Sequence, residues 1–180
     1  MAGSSQLVKE LREKTGAGIL DCQKALTENG DDIEKAIDYL RQKGLAAALK
    51  KSGRETKQGL VHAYIHMGGK IGVLIEVNCE TDFVARNEEF KSFVNDLALQ
   101  VAAGKPSYVR REDIPASLIE KERSIYEGQA KEMGKPPATW PKIVEGKVEK
   151  FFQESCLIEQ SFVKDPAVTI KDLLALKISK

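Results

Sequence analysis

The sequence predicts an α+β fold, with a small helical module in front of a larger body in which an antiparallel hairpin is packed with helices. Three observations predict it. Apolar residues recur at helical spacing in three short runs before residue 50. Strict alternation follows on either side of Gly68-Gly69. From Phe90 onward the helical period returns in long stripes punctuated by Gly and Pro. The expected domains are a helical module at 1–50, a linker at 51–58 and an α+β core at 59–180.

The first predicted helix covers Gln6 to Lys14, with Leu7, Val8 and Leu11 apolar, and Thr15-Gly16-Ala17-Gly18 breaks it. The second runs from Ile19 to Asn29 and offers Ile19, Leu20, Cys22 and Leu26 for burial. Gly30 suits the position just past its end, where a positive φ costs glycine little. Asp31 and Glu34 then read as a capping box for a third helix, with Ile33, Ala36, Ile37 and Leu40 on one face and Gly44 as its stop. Three short helices with so few apolar residues make a thin module of the ubiquitin-associated type.

The polar stretch from Lys50 to Thr56 reads as a linker. Beyond it, Val61, Ala63 and Ile65 share one face of a strand and His62, Tyr64 and His66 the other, which is expected to be exposed. Ile71, Val73, Ile75, Val77 and Cys79 alternate along the second strand. Asn87 can cap the next helix, whose stripe is Phe90, Phe93, Val94, Leu97, Ala98, Val101 and Ala102. Helices at Pro115 to Glu132 and Pro141 to Cys156, joined by a Gly/Pro turn, predict a helical hairpin. Thr169 and Asp172 open a last helix. A lone two-stranded hairpin is marginal in water, so a third strand is expected, with Ile158 to Val163 the candidate.

Composition narrows the function. The 28 basic and 27 acidic side chains leave a net charge of +1, which argues against a nucleic-acid binder. The basic cluster Lys50, Lys51, Arg54 and Lys57 has no interleaved aromatics for base stacking and reads as solvated linker. Cys22, Cys79 and Cys156 are far apart and odd in number, which points to reduced thiols and a cytoplasmic setting. No apolar run approaches a membrane span, and Met1 to Gln6 lack a leader pattern. His62 and His66 share a strand face, with only Glu76 as an obvious third ligand, too thin a set for a metal site. Thr15-Gly16-Ala17-Gly18 lacks the preceding strand of a phosphate loop, and Cys22 has no histidine beside it. No enzyme active site emerges.

What remains is protein recognition. In Glu76-Val77-Asn78-Cys79-Glu80-Thr81-Asp82-Phe83-Val84-Ala85-Arg86, an acid and a large aromatic stand side by side between a strand and a helix. Such connections lie at the surface and carry function more often than the scaffold does. Phe83 is either tucked into the core or held out for a partner. The strand and the helix already have complete apolar sets, so Phe83 and Val84 are surplus to both.

This run resembles the signature of the translation elongation factor Ts family. So do the stretches from Leu11 to Leu26 and from Glu154 to Asp165, and the likeness covers nearly the whole chain in order. Gln23 and Ser161 stand where the family often has Lys and Pro, and the central insertion of longer members is absent. The resemblance implies an exchange factor that binds elongation factor Tu and promotes GDP release, with no cofactor of its own and no covalent chemistry. Thr81, Asp82, Phe83 and Val84 would displace the Mg²⁺ held by the partner. Lys9, Arg12, Ile19 and Leu20 would contact the partner's GTPase domain. Read without the family, Lys9 and Arg12 are solvated charges, and Ile19 and Leu20 pack in the core. The resemblance also implies a homodimer, built on a sheet completed by a strand after the last helix; a chain ending at Lys180 is expected to leave that sheet one strand short. The alternative is an adaptor whose ubiquitin-associated-like module binds ubiquitin-like or helical partners.

Overall fold

The computed structural model describes residues 5–51, 53–134 and 136–179. Ser52 of the expected linker, and Met1 to Ser4 and Lys180 at the ends of the expected domains, lie outside the described residues. Along the chain run α1 (Ser5–Thr15), α2 (Ile19–Glu28), α3 (Ile33–Lys51), β1 (Gln58–Ile65), β2 (Gly72–Cys79), α4 (Asp82–Arg86), α5 (Glu88–Gly104), α6 (Ala116–Glu132), α7 (Trp140–Ser155), β3 (Ser161–Phe162), β4 (Asp165–Thr169) and α8 (Ile170–Ser179). The architecture is α+β, as the periodicities predict. Two compact units form: one holds α1, α2, α3 and the part of α8 from Lys171 onward, the other holds Glu55–Ile170.

In the first unit Val8, Leu11, Cys22, Ala25, Leu26, Ala36 and Leu40 make one core. Gly30 adopts φ 64°, and the Asp31 N–H donates back to the Leu26 carbonyl at 2.9 Å, so α2 ends as its glycine predicts. Three details differ from the sequence expectation. The cap of α3 is Asp32, whose Oδ1 accepts the Lys35 N–H at 3.1 Å, while Asp31 takes a left-handed φ of 62°. Helix α3 does not stop at Gly44 but runs on to Lys51, because α8 packs along its second half. The Arg41 guanidinium meets the Asp172 carboxylate at 2.6 Å, and Lys51 Nζ donates to the Ile178 carbonyl at 2.7 Å. The sequence groups the last helix with the core at 59–180; its packing partners are those of the front module.

In the second unit β1 and β2 pair antiparallel, with Leu60 opposite Val77, His62 opposite Ile75 and Tyr64 opposite Val73. These residues form the half-buried face, against which α5 packs. The face carrying Val61, Ala63, Ile65 and Leu74 is exposed, Leu74 by 76%. This reverses the expectation that the histidines lie outward. The reason is register: Val73, Ile75, Val77 and Cys79 are in phase along β2, and pairing places Tyr64 and His62 on their side. The histidines' polar edges are met there, His62 Nε2 lying 3.3 Å from Asn95 Oδ1 and His66 Nδ1 3.0 Å from the Tyr64 hydroxyl.

The expected third strand does not join the hairpin. Ser161 and Phe162 pair instead with β4 in a separate two-stranded sheet. Two buried glutamines fix that segment to α5. Gln100 Nε2 donates to Gln160 Oε1 at 3.0 Å, Gln160 Nε2 donates to the Glu154 carbonyl at 2.8 Å, and Gln100 Oε1 accepts the Val163 N–H at 2.8 Å. In the helical hairpin, Ala130, Val144 and Val148 are buried beneath Tyr126, Trp140, Ile143 and Phe152. The Arg111 guanidinium bonds both Glu149 and Glu159 and lies 4.6 Å from the centre of the Phe152 ring.

Candidate functional site: the single-turn helix at Thr81 to Arg86

The Thr81–Val84 segment is not an irregular connection but the start of a one-turn helix, α4. Thr81 is its N-cap: the backbone is extended there, and Oγ1 accepts the Val84 N–H at 3.3 Å. The Thr81 carbonyl accepts the Ala85 N–H at 3.2 Å and also the Cys79 thiol at 3.1 Å. At the other end the Asn87 N–H donates to the Val84 carbonyl at 3.1 Å, and Asn87 Oδ1 accepts the Glu89 N–H at 2.8 Å. Asn87 therefore closes α4 and opens α5. The sequence shows the second of these roles. The first follows only from the short distance between two caps.

Helix α4 rests on β1, β2 and α5, and its outer side is Phe83 and Val84. Phe83 is 81% exposed, so the core alternative for this ring is excluded. The two readings left open by the sequence are decided by space: Phe93, Val94, Leu97 and Ala98 already fill the interior beneath the hairpin. Asp82, half-buried, forms an ion pair with Arg86 at 3.1 Å. A large apolar ring, a carboxylate and a guanidinium thus share one turn. This group can fill a pocket and meet polar groups at its rim, the pattern of an interface anchor. It holds no nucleophile paired with a base.

The first unit offers a second surface. Lys9 and Arg12 on α1 are exposed, with Lys9 Nζ 4.0 Å from Glu13 Oε1. Ile19 and Leu20 open α2 and are also exposed, Leu20 by 80%. Core packing for these two residues is therefore corrected: Cys22, Ala25 and Leu26 take the inner face of α2. Lys9, Arg12 and Ile19 line an open groove of about 670 Å³ with Ser5, Gly16 and Gln23, and Leu20 is not part of that lining.

The remaining candidates resolve into structure. Glu76 stands opposite Val61 on the outer hairpin face, away from His62 and His66. Among the described residues no three His, Cys, Asp or Glu side chains are grouped to hold a metal ion. Burial raises the Cys22 thiol above its ordinary pKa, as it does the Cys156 thiol. In the basic cluster Lys51 is bound to the end of α8 and Lys57 pairs with Glu55 at 2.7 Å. Among the described residues no helix is long and apolar enough to cross a membrane.

Residues 5–180 match the family described as Elongation factor TS. Elongation factor Ts of Carboxydothermus hydrogenoformans is 62% identical over 177 residues, which cover 98% of this chain and 82% of that protein. The protein of the same name from Desulfosudis oleivorans is 59% identical over 177 residues, 98% of this chain and 89% of its own. That of Thermodesulfovibrio yellowstonii is 59% identical over 180 residues, 100% of this chain and 89% of its own. On the breadth of the family match and the level of these identities, the chain belongs to the elongation factor Ts family.

Proposed function

We propose that this chain serves translation elongation as a guanine nucleotide exchange factor: it binds elongation factor Tu carrying GDP and speeds GDP release. The observation that carries the reading is Phe83, 81% exposed on a single turn held at both ends. Mg²⁺ demands near-octahedral oxygen ligands and tolerates little distortion. In GTPases it bridges the nucleotide phosphates to the protein. Phe83 wedged beside that site displaces the partner's backbone, with Thr81, Asp82 and Val84 holding the ring on course. The ion loses its geometry, and GDP loses its counter-charge. Linkage makes the effect reciprocal: the factor by which the exchanger weakens nucleotide binding is the factor by which nucleotide weakens the exchanger. Fresh GTP then expels the exchanger.

In this reading Mg²⁺ and GDP belong to the partner, and the chain needs no cofactor or covalent chemistry. Lys9, Arg12, Ile19 and Leu20 contribute affinity for the GTPase domain, and the setting is the cytoplasm. The exposed apolar face of Val61, Ile65 and Leu74 supports association with a second copy through the hairpin. Concentration-dependent sedimentation of the chain tests that pairing.

Stopped-flow release of a fluorescent GDP from elongation factor Tu tests the main reading. The chain accelerates release, and the double variant Asp82→Ala, Phe83→Ala loses most of the acceleration while keeping its fold. Full acceleration by the double variant would remove Thr81 to Val84 from the mechanism. Lys9→Ala and Leu20→Ala raise the concentration needed for half-maximal effect.

A further inference from the structure

We propose that Cys79 and Asn87 are positioning residues for nucleotide exchange, fixing the direction in which α4 holds Phe83. The inference rests on the exchange reading and adds to it two residues that do not themselves meet the nucleotide site.

A single helical turn has no stability of its own, because nucleation fixes several residues for very few hydrogen bonds. Helix α4 has five residues, so its direction must come from its ends. At the start, Thr81 is tied three ways. Its hydroxyl accepts from Val84, and its carbonyl accepts from Ala85 and from the Cys79 thiol at 3.1 Å. Only the thiol bond comes from outside α4. Cys79 is the last residue of β2 and is 7% exposed, so its sulfur is fixed by the hairpin. It transfers that fixity to the residue on which α4 begins. At the finish, Asn87 donates its N–H to Val84, accepts from Glu89 through its side chain, and accepts the Lys91 N–H through its carbonyl at 3.0 Å. It joins α4 to the long, well-packed α5. Phe83 stands between the two anchors.

Removing the Cys79 thiol bond, or the Asn87 Oδ1 cap on Glu89 while both backbone bonds of Asn87 remain, loosens the hold on the turn and leaves the ring present and exposed. Contact with the partner persists while productive insertion becomes rarer. The expected signature is a fall in the maximal rate of GDP release without a matching rise in the half-maximal concentration. Losing one such hydrogen bond lowers the ratio of held to unheld turn by about 3- to 10-fold, which is the upper bound on the fall in competent population.

The test uses the whole chain and elongation factor Tu loaded with fluorescent GDP. Cys79→Ala and Asn87→Ala are expected to lower the maximal release rate measurably, by up to that factor. Cys79→Ser keeps a donor and Asn87→Asp keeps an acceptor, and both recover most of the loss. Equal rates in Cys79→Ala, Asn87→Ala and the unaltered chain overturn the proposal. So do serine and aspartate variants as slow as the alanine ones. Amide hydrogen exchange on the free chain gives an independent readout. The Val84 and Ala85 amides lose protection in the alanine variants, and unchanged protection overturns the proposal whatever the partner assay gives. If the unaltered chain fails to accelerate release, the exchange reading falls, and amide protection still decides whether these residues hold α4.

Discussion

Asp82 and Arg86 form an ion pair of 3.1 Å along one turn of α4, and Phe83 projects beside them into solvent. The pair is largely exposed, and exposed pairs contribute little to stability. Phe83→Ala and Arg86→Ala are each expected to change unfolding free energy by less than about 0.5 kcal/mol. Urea titration checks this. A loss of about 2 kcal/mol for Phe83→Ala would mean that the ring is buried in solution.

The buried Gln100–Gln160 pair is expected to be a stability determinant of the second unit. Gln160→Leu leaves the Glu154 and Gly104 carbonyls and the Gln100 amide without their present partner. The two carbonyls belong to exposed residues and Gln100 Nε2 keeps its bond to the Ser161 carbonyl, so the expected loss is that of the bonds themselves, about 1–2 kcal/mol. A double-mutant cycle with Gln100→Leu measures the coupling. Additive losses would remove the network as a unit.

Acid stability reports on Arg111. The Arg111 guanidinium holds the Glu149 carboxyl below its ordinary pKa of 4.5. A folded-state pKa below the unfolded one gives stability that is present above the ordinary glutamate range and lost as pH falls through the lowered value. Glu149→Gln is therefore expected to be less stable than the unaltered chain at pH 7 and to lose less on acidification. Parallel urea titrations at neutral and acid pH check it; equal pH slopes for the two proteins would contradict the pairing.

Glycines inside helices and strands should respond in opposite directions. A Cβ at Gly128 or Gly146 would meet nothing within 4 Å, and both lie inside long helices. Alanine at each is expected to stabilise by about 0.5–1 kcal/mol. A Cβ at Gly59 would come within 2.4 Å of the Val77 carbonyl oxygen, so Gly59→Ala is expected to destabilise through displacement of β2. Thermal melting of the three variants distinguishes the cases.

Much of the fold is written in local pattern. The α5 stripe, the β1–β2 alternation, the cap at Asn87 and the glycine after α2 depend on near neighbours, whose periodicity and turn chemistry survive in one dimension. Less of the site is. The exposed Phe83 and its neighbours Thr81, Asp82 and Val84 stand out as residues left over from the strand and helix, but the helical turn that carries them does not. Its signal was available in Thr81, a good N-cap before an acid.

By itself the sequence determined the fold class and the hairpin, and it marked Phe83 and Val84 as surplus to the neighbouring strand and helix, because hydrophobic period and capping chemistry act over a few residues. Only the tertiary structure decided which hairpin face turns inward, that α8 packs with the front helices, that Ser161 and Phe162 join β4, and that Ile19, Leu20 and Phe83 face solvent. Those outcomes depend on which apolar surfaces compete for the same interior. A period shows that a face is apolar; the space left by every other element determines whether it is covered.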